Sequence, residues 1–115
     1  MASKTSSTLE GSKPNLDAIK TARARDALAR FLASAKESKF TDQAIGEALL
    51  SIGRCNTRGD LAPILRFTKS ANTEIRWRAT WALFRPRDPA AIVTLLGLAS
   101  DKSPDVRLWA VRALS

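Results

Sequence analysis

The chain has 115 residues, with 19 Lys and Arg against 11 Asp and Glu, no His, no Tyr and a single cysteine, Cys55. That length suits one domain with a self-supporting core. One thiol closes no internal bridge, and the lack of His excludes the usual zinc, haem and di-iron ligand sets and every Ser-His or Cys-His nucleophile pair, so no metal, cofactor or catalytic residue is expected. The net charge of +8 favours acidic surfaces, nucleic acid or anionic membrane, but the basic excess is spread over the whole chain. No apolar run approaches the roughly 18 residues of a membrane span, and no secretory signal opens the chain; the expected compartment is the cytoplasm.

In chain order, residues 1–15 are rich in Ser, Thr and Lys and read as a disordered leader. A basic, amphipathic first helix follows near 16–36, with Lys20, Arg23 and Arg30 mixed among Leu16, Ile19 and Phe31. Further helices are predicted near 42–53, 60–69, 73–84, 89–100 and 104–114. The periodicity is helical: Ile92, Leu95, Leu96 and Ala99 fall at i, i+3, i+4 and i+7, and Ile75, Ala79, Ala82 and Leu83 at i, i+4, i+7 and i+8. Thr41, Asn72 and Ser103 stand where a helix N-cap is needed, and Asp88-Pro89 and Ser103-Pro104 add proline at the first helical position. Pro63 is tolerable only if its helix starts near Asp60. Short loops make successive helices antiparallel.

The segments repeat at an offset of 31 residues. Ile75-Arg76 matches Val106-Arg107, Ala79 matches Ala110, and Leu83 matches Leu114; one step earlier, Ala44, Ala48 and Ile52 align with Ile75, Ala79 and Leu83. Leu61, Ile64 and Leu65 likewise precede Ile92, Leu95 and Leu96 by 31, and all six are expected in the core. Each period therefore holds two helices, and each pair needs the next to cover its apolar face. The domain is 16–115: a degenerate first unit at 16–40, repeats from about 41 and 72, and a half repeat at 103–115. The last half repeat has no second helix and no polar capping character, so the sequence is expected to belong to a longer array, or to be completed by another copy or a partner through its C-terminal end.

The stretches Glu74-Ile75-Arg76-Trp77-Arg78-Ala79-Thr80-Trp81-Ala82-Leu83, Arg87-Asp88-Pro89-Ala90-Ala91-Ile92 and Ser103 to Leu114 resemble HEAT repeats. They are closest to the short bacterial and archaeal variety named after phycobilisome lyases. The resemblance implies an all-α, right-handed α-solenoid of stacked antiparallel helix pairs that binds proteins. It also implies an Arg of the Val-Arg pair engaged with an Asp of a neighbouring turn, places held here by Arg76 and Arg107 with Asp101 and Asp88. Members also occur beside enzymes such as lyases and cyclophilin-type prolyl isomerases, whose catalytic parts are absent from this sequence.

Two surfaces are candidate sites. Trp77, Trp81 and Phe84 form a stripe at i, i+4 and i+7, offset from the core stripe, and Leu50 and Leu108 share its phases in adjacent repeats. Such a row is an association surface unless a broader core or the N-terminal helix covers it. Trp109 sits at a phase that reads as packing. Arg54 and Arg85 are 31 apart, and Arg58 and Arg87 fall in the same short turns, giving a basic edge that either grips carboxylates or phosphates or is a solvated loop edge. The leading expectation is a non-catalytic scaffold for protein partners. A nucleic-acid-binding repeat is second, since Asp60, Asp88, Asp101 and Asp105 interrupt the basic edge. An enzyme is third: HEAT-like hydroxylases need His-Glu pairs, and Trp109 with Asp105 matches HEAT-like DNA glycosylases only in composition.

Overall fold

The computed structural model describes residues 16–115; the leader expected at 1–15 lies outside the described residues. The described chain is helical throughout, without strands: α1 (Leu16–Ser34), α2 (Asp42–Cys55), α3 (Ala62–Leu65, tightening into a 3-10 turn at Arg66–Lys69), α4 (Thr73–Phe84), α5 (Ile92–Leu98, entered through a 3-10 turn at Pro89–Ala91) and α6 (Pro104–Leu114). None of these helices is long and apolar enough to cross a membrane.

Local chemistry explains the boundaries. Asn72 Oδ1 accepts from the Glu74 and Ile75 amides at 3.0 and 3.4 Å, and Asp88 Oδ1 accepts from Ala90 N–H at 3.0 Å, so α4 and the turn into α5 begin on side-chain caps. The other two expected caps do not form. Thr41 instead donates to the Lys36 carbonyl at 2.5 Å, and at the Ser103 turn it is Asp101 Oδ1 that accepts the Ser103 amide, at 2.8 Å. Pro63, Pro89 and Pro104 each lie in a first turn, where a missing N–H breaks no helical bond. α2 ends at Asn56, in the left-handed region at φ 49°, with its N–H on the Gly53 carbonyl. Arg87, 31 residues on, has the same φ of 49° after α4.

Helices α2, α4 and α6 begin 31 residues apart and lie side by side in the same direction. Asn72, at the start of α4, reaches Asp42, at the start of α2, with 3.4 Å between Nδ2 and Oδ2; towards the other ends, Gly53 touches Trp81 and Trp81 touches Trp109. Ala48, Ala79 and Ala110 are buried at the contacts, their methyl groups letting the helices approach closely. α3 and α5 pack behind this row, and α1 covers α2 and α3. Arg66 in the turn after α3 donates Nη1 to the Leu32 and Ala35 carbonyls at 2.5 and 2.7 Å, capping the C-terminal end of α1.

Several core expectations change. Leu61, Ile64 and Leu95 are buried and Leu65 half-buried, but Ile92 and Leu96 are exposed, because nothing among the described residues lies over the outer side of α5. Ile45 is buried in α2 and Ala44 is not, so the aligned position does not keep its depth. On α1 the covered face holds Arg25, Leu28, Ala29 and Leu32, whereas Leu16 and Phe31 face out.

Candidate partner-binding edge

Because α2, α4 and α6 run the same way, their ends line up into two chemically different edges. The first turns carry Asp42, Glu74 and Asp105; the last turns carry Arg54 and Arg112, and Arg85 follows α4 directly. Each sign sits where the helix macrodipole favours it. Of the four carboxylates expected to interrupt the basic edge, Asp101 and Asp105 thus lie at the opposite, acidic edge. The other two are turned into helix starts, Asp60 Oδ1 accepting Ala62 N–H at 3.1 Å and Asp88 Oδ1 accepting Ala90 N–H.

The aromatic residues meet at the basic edge. Trp81 and Trp109 pack edge to face with centroids 6.4 Å apart, and Phe84 lies 5.5 Å from Trp109. Trp81 packs against α2 at Gly53, which has no side chain: a Cβ there would fall 2.6 Å from a ring carbon. Guanidinium groups cover these rings, with Arg85 over Trp81 at 5.8 Å, Arg87 over Phe84 at 5.4 Å and Arg112 over Trp109 at 5.1 Å. Among the described residues, none of Arg54, Arg85, Arg87 and Arg112 makes an ion pair. All three rings are half-buried, so their edges still reach solvent.

The expected stripe is therefore divided. Trp81 and Phe84 join this cluster. Trp77 packs on the core instead, with Nε1 donating to Glu74 Oε2 at 3.1 Å and Arg78 over its ring at 5.5 Å. Leu50 is half-buried and Leu108 exposed. Arg58 is pinned to the next turn, where Nη2 donates to the Arg87 carbonyl at 3.1 Å and Nε to that of Pro86 at 3.5 Å. Two members of the cluster went unseen in the sequence. Trp109 read as packing alone, and Arg112 breaks the 31-residue spacing, although its last-turn position on α6 was a signal for the basic edge.

The Arg and Asp positions divide as well. Arg76, buried, donates Nε and Nη2 to the two Asp101 carboxylate oxygens at 2.9 and 3.0 Å, and Nη1 to the Ser70 carbonyl at 2.8 Å. Burial pushes the Asp101 carboxyl up, but the Arg76 and Ser103 hydrogen bonds and the Arg76 and Lys102 charges outweigh it and hold the group below its ordinary value. Arg107 donates Nη1 only to the Asp101 carbonyl, at 2.8 Å, and Asp88 caps a helix instead of pairing with Arg76, because it lies in the turn after α4, at the other end of that helix from Arg76. Arg25 is a buried arginine that the helical pattern did not reveal: its Nε and Nη2 bind the Thr57 and Asp60 carbonyls at 3.1 and 2.9 Å. Gly59 leaves the space for it, since a Cβ there would lie 2.5 Å from Nη1. Arg25 thus holds the turn after α2 much as Arg58 holds the turn after α4. Among the described residues no group of three Cys, Asp or Glu forms a metal-binding cluster.

Comparison with known proteins agrees with this geometry. No curated protein and no solved structure matches the chain. The family model of HEAT repeats matches residues 60–115, the stretch from the start of α3 to the end of α6. Helix pairs with short connections, stacked through small residues and tied by an arginine to a neighbouring turn, are what that segment builds, and over it this chain is a HEAT-repeat protein.

Proposed function

We propose that the chain is a non-catalytic scaffold: a right-handed stack of HEAT-type helix pairs with a 31-residue period, of the short phycobilisome-lyase variety, acting in the cytoplasm and binding an acidic segment of a protein partner. The observation that carries this reading is the cluster of Trp81, Phe84 and Trp109 under Arg85, Arg87 and Arg112. Tryptophan and arginine are the residues most enriched where truncation costs binding energy. A guanidinium lying over a ring keeps its N–H groups directed outward in its own plane. It therefore grips a carboxylate while the ring edges take the apolar part of the same segment.

Nucleic acid is the second reading, favoured by basic side chains that no carboxylate neutralises. It fits less well, because the ring faces on which bases stack are occupied by guanidinium groups or by one another.

The test is a titration by fluorescence anisotropy, using a labelled peptide of alternating Glu and Leu, a single-stranded oligothymidine and a DNA duplex as probes. The peptide should bind the wild-type protein and lose most of its affinity to Trp81→Ser and Arg87→Gly, both still helical by circular dichroism. Submicromolar, salt-steep binding of either oligonucleotide at physiological ionic strength would move the assignment to the second reading.

A further inference from the structure

Two arginines are buried among the described residues, Arg76 at 5% and Arg25 at 6% exposure, and they are compensated differently. Arg76 has a carboxylate, that of Asp101. Arg25 has only the Thr57 and Asp60 carbonyls, on Nε and Nη2, and makes no ion pair among the described residues. A carbonyl satisfies an N–H but does not neutralise a buried charge, which stays costly until an anion meets it. The third nitrogen, Nη1, has no hydrogen-bond partner among the described residues and is not sealed from solvent.

Arg25 and Gly59 line one groove of about 390 Å³ between α1 and the turn after α2, and Nη1 lies at Gly59, where a Cβ would fall 2.5 Å from it. That volume is within the roughly 300–1,000 Å³ of small-molecule sites. Ala22, Ala29, Ala33 and Pro63 give the groove apolar walls, and the exposed Asp26, Arg30 and Asp60 stand around them. Arg58 also lines it, but its Nη2 and Nε are held by the Arg87 and Pro86 carbonyls. The groove is not a repeated feature: the residues 31 after Arg25 and Gly59 are Asn56 and Ala90.

We propose that this groove binds a small aliphatic monocarboxylate. The carboxylate accepts from Arg25 Nη1, Arg30 closes over it, and the aliphatic chain lies on the alanines and Pro63. Phosphate fits less well. With Nε and Nη2 already on carbonyls, Arg25 has no two-nitrogen grip left for it, and Asp26 and Asp60 repel a second negative charge. The same two carboxylates turn away the acidic segment assigned to the aromatic edge. No ring of that edge lines the groove, so the proposal does not rest on the function given to it.

The probe is sodium butyrate, titrated into the isotope-labelled 115-residue protein at a constant ionic strength of about 0.15 M and followed by amide chemical shifts. The Ala22, Ala29 and Gly59 amides should move together and saturate with a Kd of about 1 mM, and neutral butyramide should move none of them. Arg25 is left in place because it also holds the turn. Gly59→Ala puts a methyl group on Nη1 at a backbone position outside the left-handed region. Ala22→Leu fills the groove at an exposed helical position. Each should weaken butyrate about tenfold or more while the protein stays helical by circular dichroism, and Trp81→Ser should leave it unchanged. No saturation below about 10 mM, equal shifts from butyramide, or shifts that survive both groove variants overturn the proposal. Inorganic phosphate binding more tightly than butyrate would overturn it in favour of a phosphate site. Movement of the same amides by the Glu and Leu peptide would overturn it in favour of the protein partner.

Discussion

Replacing Arg76 by methionine keeps an apolar stem of similar length and removes the guanidinium. Asp101, with a side chain only 13% exposed, keeps the hydrogen bond from the Ser103 amide at 2.8 Å, and the carbonyl of buried Ser70 loses its partner. Removing one member of a buried pair costs about 3–5 kcal/mol, and partial access of water to Asp101 sets the expectation at the lower end, about 3 kcal/mol. In a chain of this size that is a fall in melting temperature of about 12 °C. Asp101→Asn should cost about 2 kcal/mol, because its amide NH2 must face an Arg76 donor whichever carboxylate oxygen it replaces. The double variant should recover at least about 1.5 kcal/mol of the summed losses. Arg107→Met is the internal control, with the same residue type at the matching repeat position but exposed, and should stay within about 0.5 kcal/mol. Urea unfolding followed at 222 nm measures all four. The same pair sets an acid limit. Its carboxyl is held below 3.8 in the fold and returns to its ordinary value on unfolding, so the unfolded chain binds more protons. The contribution of the pair is complete above that ordinary value and is lost as pH falls through the folded one. Arg76→Met should lose this acid sensitivity. A cost below about 1 kcal/mol for Arg76→Met, or coupling near zero, would refute the reasoning.

Three further outcomes follow from positions where the structure is specific. Arg87→Gly relieves a left-handed residue and should hold stability level or raise it by up to about 1 kcal/mol while weakening the acidic peptide, so parallel losses in both assays would contradict the role given to Arg87. Gly53→Val should force the Trp81 ring off α2 and erase much of the near-ultraviolet circular dichroism of the Trp81–Trp109 pair; an unchanged spectrum would mean that Gly53 does not seat the ring. Asn72→Ala should cost about 1 kcal/mol as a lost cap, whereas Ser103→Ala should cost clearly less, since the Ser103 side chain caps nothing. Equal losses in denaturant titration would contradict that division.

The sequence by itself determined the helices, their order and their repeat. Apolar spacing and turn residues are local, and the predicted 73–84 and 104–114 are the observed Thr73–Phe84 and Pro104–Leu114. It also marked Arg76 and Asp101 through the resemblance. Only the tertiary structure decided which aligned positions are deep. A residue at the matching position one repeat later keeps the apolar character of its counterpart but not its neighbours, so Ile92 faces water where Leu61 does not. Likewise, the 31-residue period placed the aromatic and basic residues on separate lists, whereas the shared direction of α2, α4 and α6 brings Trp81, Phe84 and Trp109 together with Arg85, Arg87 and Arg112 at one edge. Arg25 is the plainest case. Its burial depends on two carbonyls more than 30 residues away and on the space left at Gly59, a long-range arrangement that helical periodicity does not encode.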